Sequence, residues 1–139
     1  LLNPEFVDIE LAIAIHDDLI ETHGGSLGVR DERLLESALS QPQATFFGEF
    51  LHPTIAEQAA AYLYHVTKNH AFIDGNKRAA LGITEAFLRM NGYNLTLSDN
   101  ELYELVLAVS TGKLEKTDLI SVIADHLVVQ ILGAEAQDC

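Results

Sequence analysis

Two four-residue strings fix the class of fold. Thr54-Ile-Ala-Glu57 and Ser98-Asp-Asn-Glu101 each set a hydroxyl three residues ahead of a glutamate, the reciprocal capping pattern that opens a helix. After the first, Ile55, Ala59, Tyr62 and Val66 repeat at helical spacing. The same period predicts a first helix over Val7 to Thr22, with Val7, Leu11, Ala14/Ile15 and Leu19 as its stripe, stopped by Gly24-Gly25. Asp31 caps a short helix to about Ser40, with Leu34, Leu35, Ala38 and Leu39 inward. The helix from Thr54 runs to about Lys68, and another spans Asn76 to Met90 with Ala80, Ile83, Phe87 and Met90 on one face. Ser98 opens a helix to about Ser110, and Thr117 or Asp118 opens the last, to about Leu132. Strand signals are nearly absent; Asn94 to Leu97 reads as a short extended piece. The expected fold is all-α, one domain over residues 1–139 of about six helices, with a core from about 5 to 132 and a frayed tail from 133 to 139.

A chain of 139 residues buries one core without disulfides or metals. Its formal net charge of −13 argues against direct nucleic-acid or anionic-membrane binding, which needs a basic face. No apolar stretch is long enough to span a bilayer, since Leu119 to Leu132 is interrupted by Asp125 and His126. The lone cysteine, Cys139, and the lack of a leader-like start predict a reducing, cytoplasmic setting. Gln41 to Pro53 is a connector whose Phe46, Phe47 and Phe50 are expected to tuck onto the core, with the edge of a pocket as the alternative use for some of them. Gly82, inside a helix, predicts close approach of a neighbouring helix.

The chemistry concentrates in one connector, His70-Ala-Phe-Ile-Asp-Gly-Asn-Lys-Arg-Ala-Ala80. Lys68, Lys77 and Arg78 cluster here in an otherwise acidic chain. Asp74-Gly75-Asn76 stands where a helix begins, and a helix start carries unpaired N–H groups and positive potential. Gly75 lets the backbone turn and present those groups; Lys77 and Arg78 add charge that suits phosphate. His70 is of the right type to take a proton from a hydroxyl, and Asp74 to hold Mg²⁺ through phosphates. Phe72 anchors the loop. Taken singly, each has a plainer use: His70 as a C-cap, Asp74 or Asn76 as N-caps, Lys77 and Arg78 as solvated charges. Yet two cations in a first helical turn oppose the helix dipole, and such a conflict with local preference marks a functional site. The remaining histidines, His16, His23, His52, His65 and His126, are scattered. His65 and His70 miss the i, i+4 spacing of a helical metal pair.

The string His70-Ala-Phe72-Ile-Asp74-Gly75-Asn76-Lys77-Arg78 resembles the Fic/Doc superfamily signature, His-x-Phe-x-(Asp/Glu)-(Gly/Ala)-Asn. Lys77 replaces the second glycine of Fic enzymes, which is the ending of the death-on-curing (Doc) branch. Gly24-Gly25-Ser-Leu-Gly28-Val-Arg30-Asp31 also resembles Doc sequences, so the similarity spans about residues 8 to 130. The resemblance implies a toxin neutralised by a cognate antitoxin protein. It implies transfer of a phosphoryl group from ATP, with Mg²⁺, to a hydroxyl of a protein target, a translation elongation factor. His70 would be the general base and Asp74 would serve the metal or position the acceptor. Gly75, Asn76, Lys77 and Arg78 would bind the nucleotide phosphates. Alternatives are AMP transfer of the Fic type and a catalytically silent module acting through its antitoxin as a corepressor. The inhibitory helix of many Fic enzymes has only a defective counterpart in Thr45-Phe-Phe-Gly-Glu49-Phe50, so control by a separate antitoxin is expected.

Overall fold

A helix lined with alanines can be approached from every side. In the computed structural model, which describes residues 3–130, α3 (Ile55–Asn69) has this place. Ala56, Ala59, Ala60, Ala61, Tyr62, Leu63 and Val66 are all buried on it. Around it pack α2 (Glu32–Ser40), α4 (Asn76–Met90), α5 (Asp99–Ser110) and α6 (Lys116–Asp125), while α1 (Ile9–His23) lies against α4. The described residues thus form six α-helices and a 3-10 turn at Gln41–Gln43, with two short antiparallel strand pairs. This is the helical architecture the capping strings predict. None of the helices is long and apolar enough to cross a membrane.

The caps expected at Asp31, Thr54 and Ser98 are present. Asp31 accepts from the Leu34 N–H, and Asp8, not singled out from the sequence, accepts from the Leu11 N–H and opens the first helix. Thr54 with Glu57 and Ser98 with Glu101 both close reciprocal capping boxes. Gly82 sits at the α1–α4 crossing, where a Cβ would lie 3.0 Å from both Ile15 Cγ2 and Leu19 Cδ1. The core runs from Val7 through Leu35, Tyr62, Phe72, Ile83 and Phe87 to Val106 and Ile123. Tyr62 crosses it, its hydroxyl accepting from the Val7 N–H at 2.8 Å.

Four expectations are corrected. The fully buried stripe of α1 is Ala12, His16 and Ile20, one position on from the one expected, and Leu11 is exposed. Phe46 and Phe47 do not tuck in: they are 64% and 91% exposed on a hairpin of β1 (Thr45–Phe46) and β2 (Glu49–Phe50). Its turn residues Phe47 and Gly48 both take positive φ, as a two-residue hairpin loop requires. Only Phe50 turns inward, edge-on to Phe6 at 5.8 Å. The extended piece is β3 (Tyr93–Leu95), and α6 starts at Lys116 and ends at Asp125 rather than near Leu132. Leu127–Val129 forms β4, paired with β3; consecutive β-branched residues fit a strand better than a helix. The rest of the expected last helix, the tail from 133 to 139 and Cys139 lie outside the described residues.

One polar cluster ties α6 to α3. The Lys116 ammonium donates to His52 Nε2 and to His65 Nε2, each at 2.9 Å. Both imidazoles therefore accept through Nε2. Burial, then the charge of Lys116, then His52 hold the His65 pKa down at about 4. His52 is lowered by the same first two causes, and Lys116 is lowered by burial. The unfolded chain, with ordinary histidines near pKa 6.5, binds more protons than the folded one between that value and about 4. Stability from this cluster is therefore full above the unfolded value and falls as pH drops through that window. Urea unfolding at successive pH values from 7 to 4.5 is expected to show a falling midpoint, with a shallower fall in His65→Gln. Equal slopes for the two proteins would contradict the cluster's role.

Candidate active site

The connector from α3 to α4 begins with a forced turn. His70, the C-cap of α3, has left-handed backbone angles (φ 49, ψ 47) that a non-glycine residue adopts only when held there. Arg30 holds it. Its Nε and Nη2 donate to the His70 carbonyl at 2.8 and 2.6 Å. The Arg30 and Asp31 N–H groups donate to the next carbonyl, Ala71, at 2.7 and 3.0 Å. The His70 imidazole is exposed and makes no hydrogen bond among the described residues.

Past the turn the chain dives inward. Ala71 and Phe72 are buried, Phe72 pairs with Val29 in an isolated bridge, and the Ile73 N–H donates to the Gly28 carbonyl. Asn76 clasps Phe72 twice: its Oδ1 accepts from the Phe72 N–H at 2.9 Å and its Nδ2 donates to the Phe72 carbonyl at 3.0 Å. The buried ring of His16, on α1, stacks on the Phe72 ring with centroids 3.9 Å apart and planes within 5°. His16 Nε2 also meets the Asp74 carbonyl at 2.7 Å.

Asp74 is exposed but oriented. Its Oδ1 accepts from the Gly75 N–H at 2.8 Å and its Oδ2 from the Ser26 N–H at 3.1 Å. Gly25 makes room for it: with φ at +117, a Cβ there would lie 2.8 Å from Asp74 Oδ2. Gly75 then takes left-handed angles (φ 73, ψ 25) and α4 starts with no side-chain cap and no acid in its first turn. The N–H groups of Asn76, Lys77 and Arg78 have no acceptor among the described residues. Lys77 is half-buried and Arg78 exposed, and neither forms an ion pair among the described residues. Four of the other five helices open on a side-chain cap, and the fifth, α6, opens on Glu115 with Asp118 in its first turn.

A cavity of about 290 Å³ opens here, lined by Asp74, Gly75, Asn76, Lys77, Arg78 and Tyr103 among others. A neighbouring one of about 330 Å³ shares Arg78, Leu81 and Tyr103 and adds His23, Glu85 and Asp99. Burial raises the Glu85 pKa, opposed by Arg89 and aided by Asp99. The structure thus brings Asp74, Gly75, Asn76, Lys77 and Arg78 to one cavity wall, with His70 at the far end of the same connector and Phe72 beneath it. The Asn76 side chain is engaged with Phe72, so what it has free for a ligand is its backbone N–H. Sequence reasoning missed His16, Arg30 as the clamp on His70, and Tyr103. His16 carried a signal, a histidine in register with Ala12 and Ile20 on a buried stripe.

Among the described residues no group of three or more histidine, cysteine, aspartate or glutamate side chains is placed to hold a metal ion. One oriented carboxylate beside a phosphate-sized cationic wall does fit Mg²⁺, an ion usually held by one or two carboxylates together with substrate phosphates.

Comparison with known proteins places this arrangement. Residues 6–88, which run from before α1 into the last turn of α4, match the family described as Fic/DOC family. A protein named Toxin Doc from Mycolicibacterium smegmatis (strain ATCC 700084 / mc(2)155) is 46% identical over 72 residues, 52% of this chain and 55% of that protein. The chain thus matches about half of that protein's length. The protein named Protein kinase doc from Escherichia phage P1 is 34% identical over 118 residues, 85% of this chain and 89% of that protein. The extent of these matches, together with the helical core and the connector geometry, shows that the chain belongs to the Fic/DOC family.

Proposed function

We propose that this chain is the toxin of a toxin–antitoxin pair and transfers the γ-phosphoryl group of ATP to a hydroxyl of a protein target. The observation that carries the reading is the start of α4: three N–H groups and two cations without partners among the described residues, and an oriented carboxylate, on one cavity wall. Such a wall binds the charged end of a nucleotide, and phosphoryl transfer asks for little beyond positioning and charge neutralisation. The names of the two relatives, a toxin and a protein kinase, support the same reading. A translation elongation factor is the proposed target and a cognate antitoxin protein the proposed partner, both by family resemblance. The cytoplasm is the proposed setting.

The roles follow from placement. The exposed His70 imidazole, free of hydrogen bonds to the described residues, accepts the proton of the attacking hydroxyl. Asn76 and Gly75 shape the turn, and the N–H groups of Asn76, Lys77 and Arg78 receive phosphate oxygens. Lys77 and Arg78 neutralise charge on the phosphates. Mg²⁺, where bound, would neutralise further phosphate charge and would be held by Asp74. Lys77 stands where Fic enzymes have glycine, so its side chain fills part of the backbone nest that would cradle the α and β phosphates. A nucleotide turned to avoid it presents its γ-phosphoryl group on the His70 side, where a target hydroxyl that loses its proton to His70 attacks the phosphorus and ADP leaves.

Incubation with Mg²⁺ and a cell extract, with ATP labelled in parallel at γ or α, tests the reading. Protein label from γ alone is expected. Label from α alone would replace the reading with AMP transfer, and no label from either would favour a binding module. His70→Ala is expected to abolish transfer with its helical circular-dichroism signal intact; loss of that signal would make His70 structural. Lys77→Ala is expected to raise KM for ATP about tenfold or more, the scale of one charge-assisted hydrogen bond of about 1.5–3 kcal/mol. An unchanged KM would remove Lys77 from the phosphate site.

A further inference from the structure

His16 has no part in the chemistry above, yet it touches the connector at two places. Its ring lies parallel on Phe72, and its Nε2 is 2.7 Å from the Asp74 carbonyl oxygen, 58 residues away in sequence. A carbonyl oxygen can only accept, so Nε2 carries the hydrogen. Nδ1 is buried with no hydrogen-bond partner among the described residues, and Asp17 Oδ1 is 3.6 Å away. A leucine or phenylalanine would fill this 1% exposed position without an unsatisfied nitrogen. What the histidine adds over an apolar residue is the Nε2 donor.

What Nε2 does is fix one peptide plane. The carbonyl of Asp74 and the N–H of Gly75 belong to the same peptide unit. The oxygen end is held by His16 Nε2 and the nitrogen end by Asp74 Oδ1. With both ends held, that peptide cannot rotate. Its orientation sets the left-handed angles of Gly75 and thereby the direction of the free N–H groups at the start of α4. The same peptide also orients the Asp74 carboxylate, because Oδ1 bonds to it. We propose that His16 is a positioning residue for the transfer reaction, locking the Asp74–Gly75 peptide so that the α4 N–H groups and the Asp74 carboxylate face the same phosphates. This rests on the reading of the site as a phosphoryl-transfer site. Misplacement of about 1 Å in such a site is worth about a hundredfold in rate.

The test uses the full chain as wild type, His16→Phe and His16→Gln. Phenylalanine keeps the stack on Phe72 and removes the donor; glutamine places an amide N–H near the Nε2 position without the ring. Expected for His16→Phe are a thermal midpoint close to wild type, a displaced Gly75 amide resonance in the ¹⁵N–¹H spectrum, and kcat/KM for γ-phosphoryl transfer lowered at least about tenfold. Expected for His16→Gln is recovery of most of that loss and return of the resonance toward wild type. An unmoved Gly75 resonance with undiminished transfer in His16→Phe overturns the proposal. So does a fall in transfer in both folded variants that only follows a lowered thermal midpoint while the Gly75 resonance stays in place, which would make His16 a packing residue only. If the wild type transfers nothing from γ-labelled ATP, the functional reading fails, and the Gly75 resonance by itself decides the positioning role. If neither variant folds, the wild-type imidazole decides: a slowly exchanging Nε2 proton supports the proposal, and a ring protonated at Nδ1 alone overturns it.

Discussion

The site hangs on a single peptide unit, the one between Asp74 and Gly75. His16 holds its oxygen and the Asp74 carboxylate holds its N–H. Everything with chemistry on it branches from that plane. Upstream, Asn76 clasps Phe72 and Arg30 pins the left-handed turn at His70. Downstream, α4 opens with its first N–H groups bare. The strain of a non-glycine residue at positive φ and of an uncapped helix each costs about 1 kcal/mol or more. Hydrogen bonds from α1, from the loop around Ser26 to Asp31 and from Asn76 at the start of α4 offset that strain.

Glycines make this convergence possible where backbones and side chains crowd. Gly25 leaves space for the Asp74 carboxylate, and Gly75, at φ +73, turns against Ile20, where a Cβ would lie 3.1 Å from Cδ1. Gly82 does the same one layer down, letting α1 settle onto α4 so that His16 reaches the connector. The chain's negative balance of −13 sharpens the effect of Lys77 and Arg78. With so many carboxylates in the chain, two cations at a helix start with no ion pair among the described residues support the proposed anion site.

Much of this was legible in the sequence because it is local. The caps at Asp31, Thr54 and Ser98 are three-residue relations, and the connector compresses histidine, carboxylate and cations into one string. What escaped is long-range or depends on an exception. His16 meets Asp74 across 58 residues, and Lys116 meets His52 across 64; no short-range pattern encodes either. The Phe47-Gly48 turn lacks the usual Asn-Gly signature, so Phe46 and Phe47 read as core residues although they stand in solvent. The end of α6 was missed because apolar periodicity continues past Asp125 while the backbone pairs with β3 instead. The one-position error on α1 has the same root: a buried histidine disguises the inward face.

The central claim is that the start of α4 is a built anion site and not a frayed helix end. Calorimetric titration of the wild type and of a Lys77→Ala/Arg78→Ala double variant with inorganic pyrophosphate measures this without reference to any target. The account predicts saturable binding with one site per chain, weakening as salt rises, and its loss in the double variant. No binding by the wild type, or equal binding by both proteins, would contradict it.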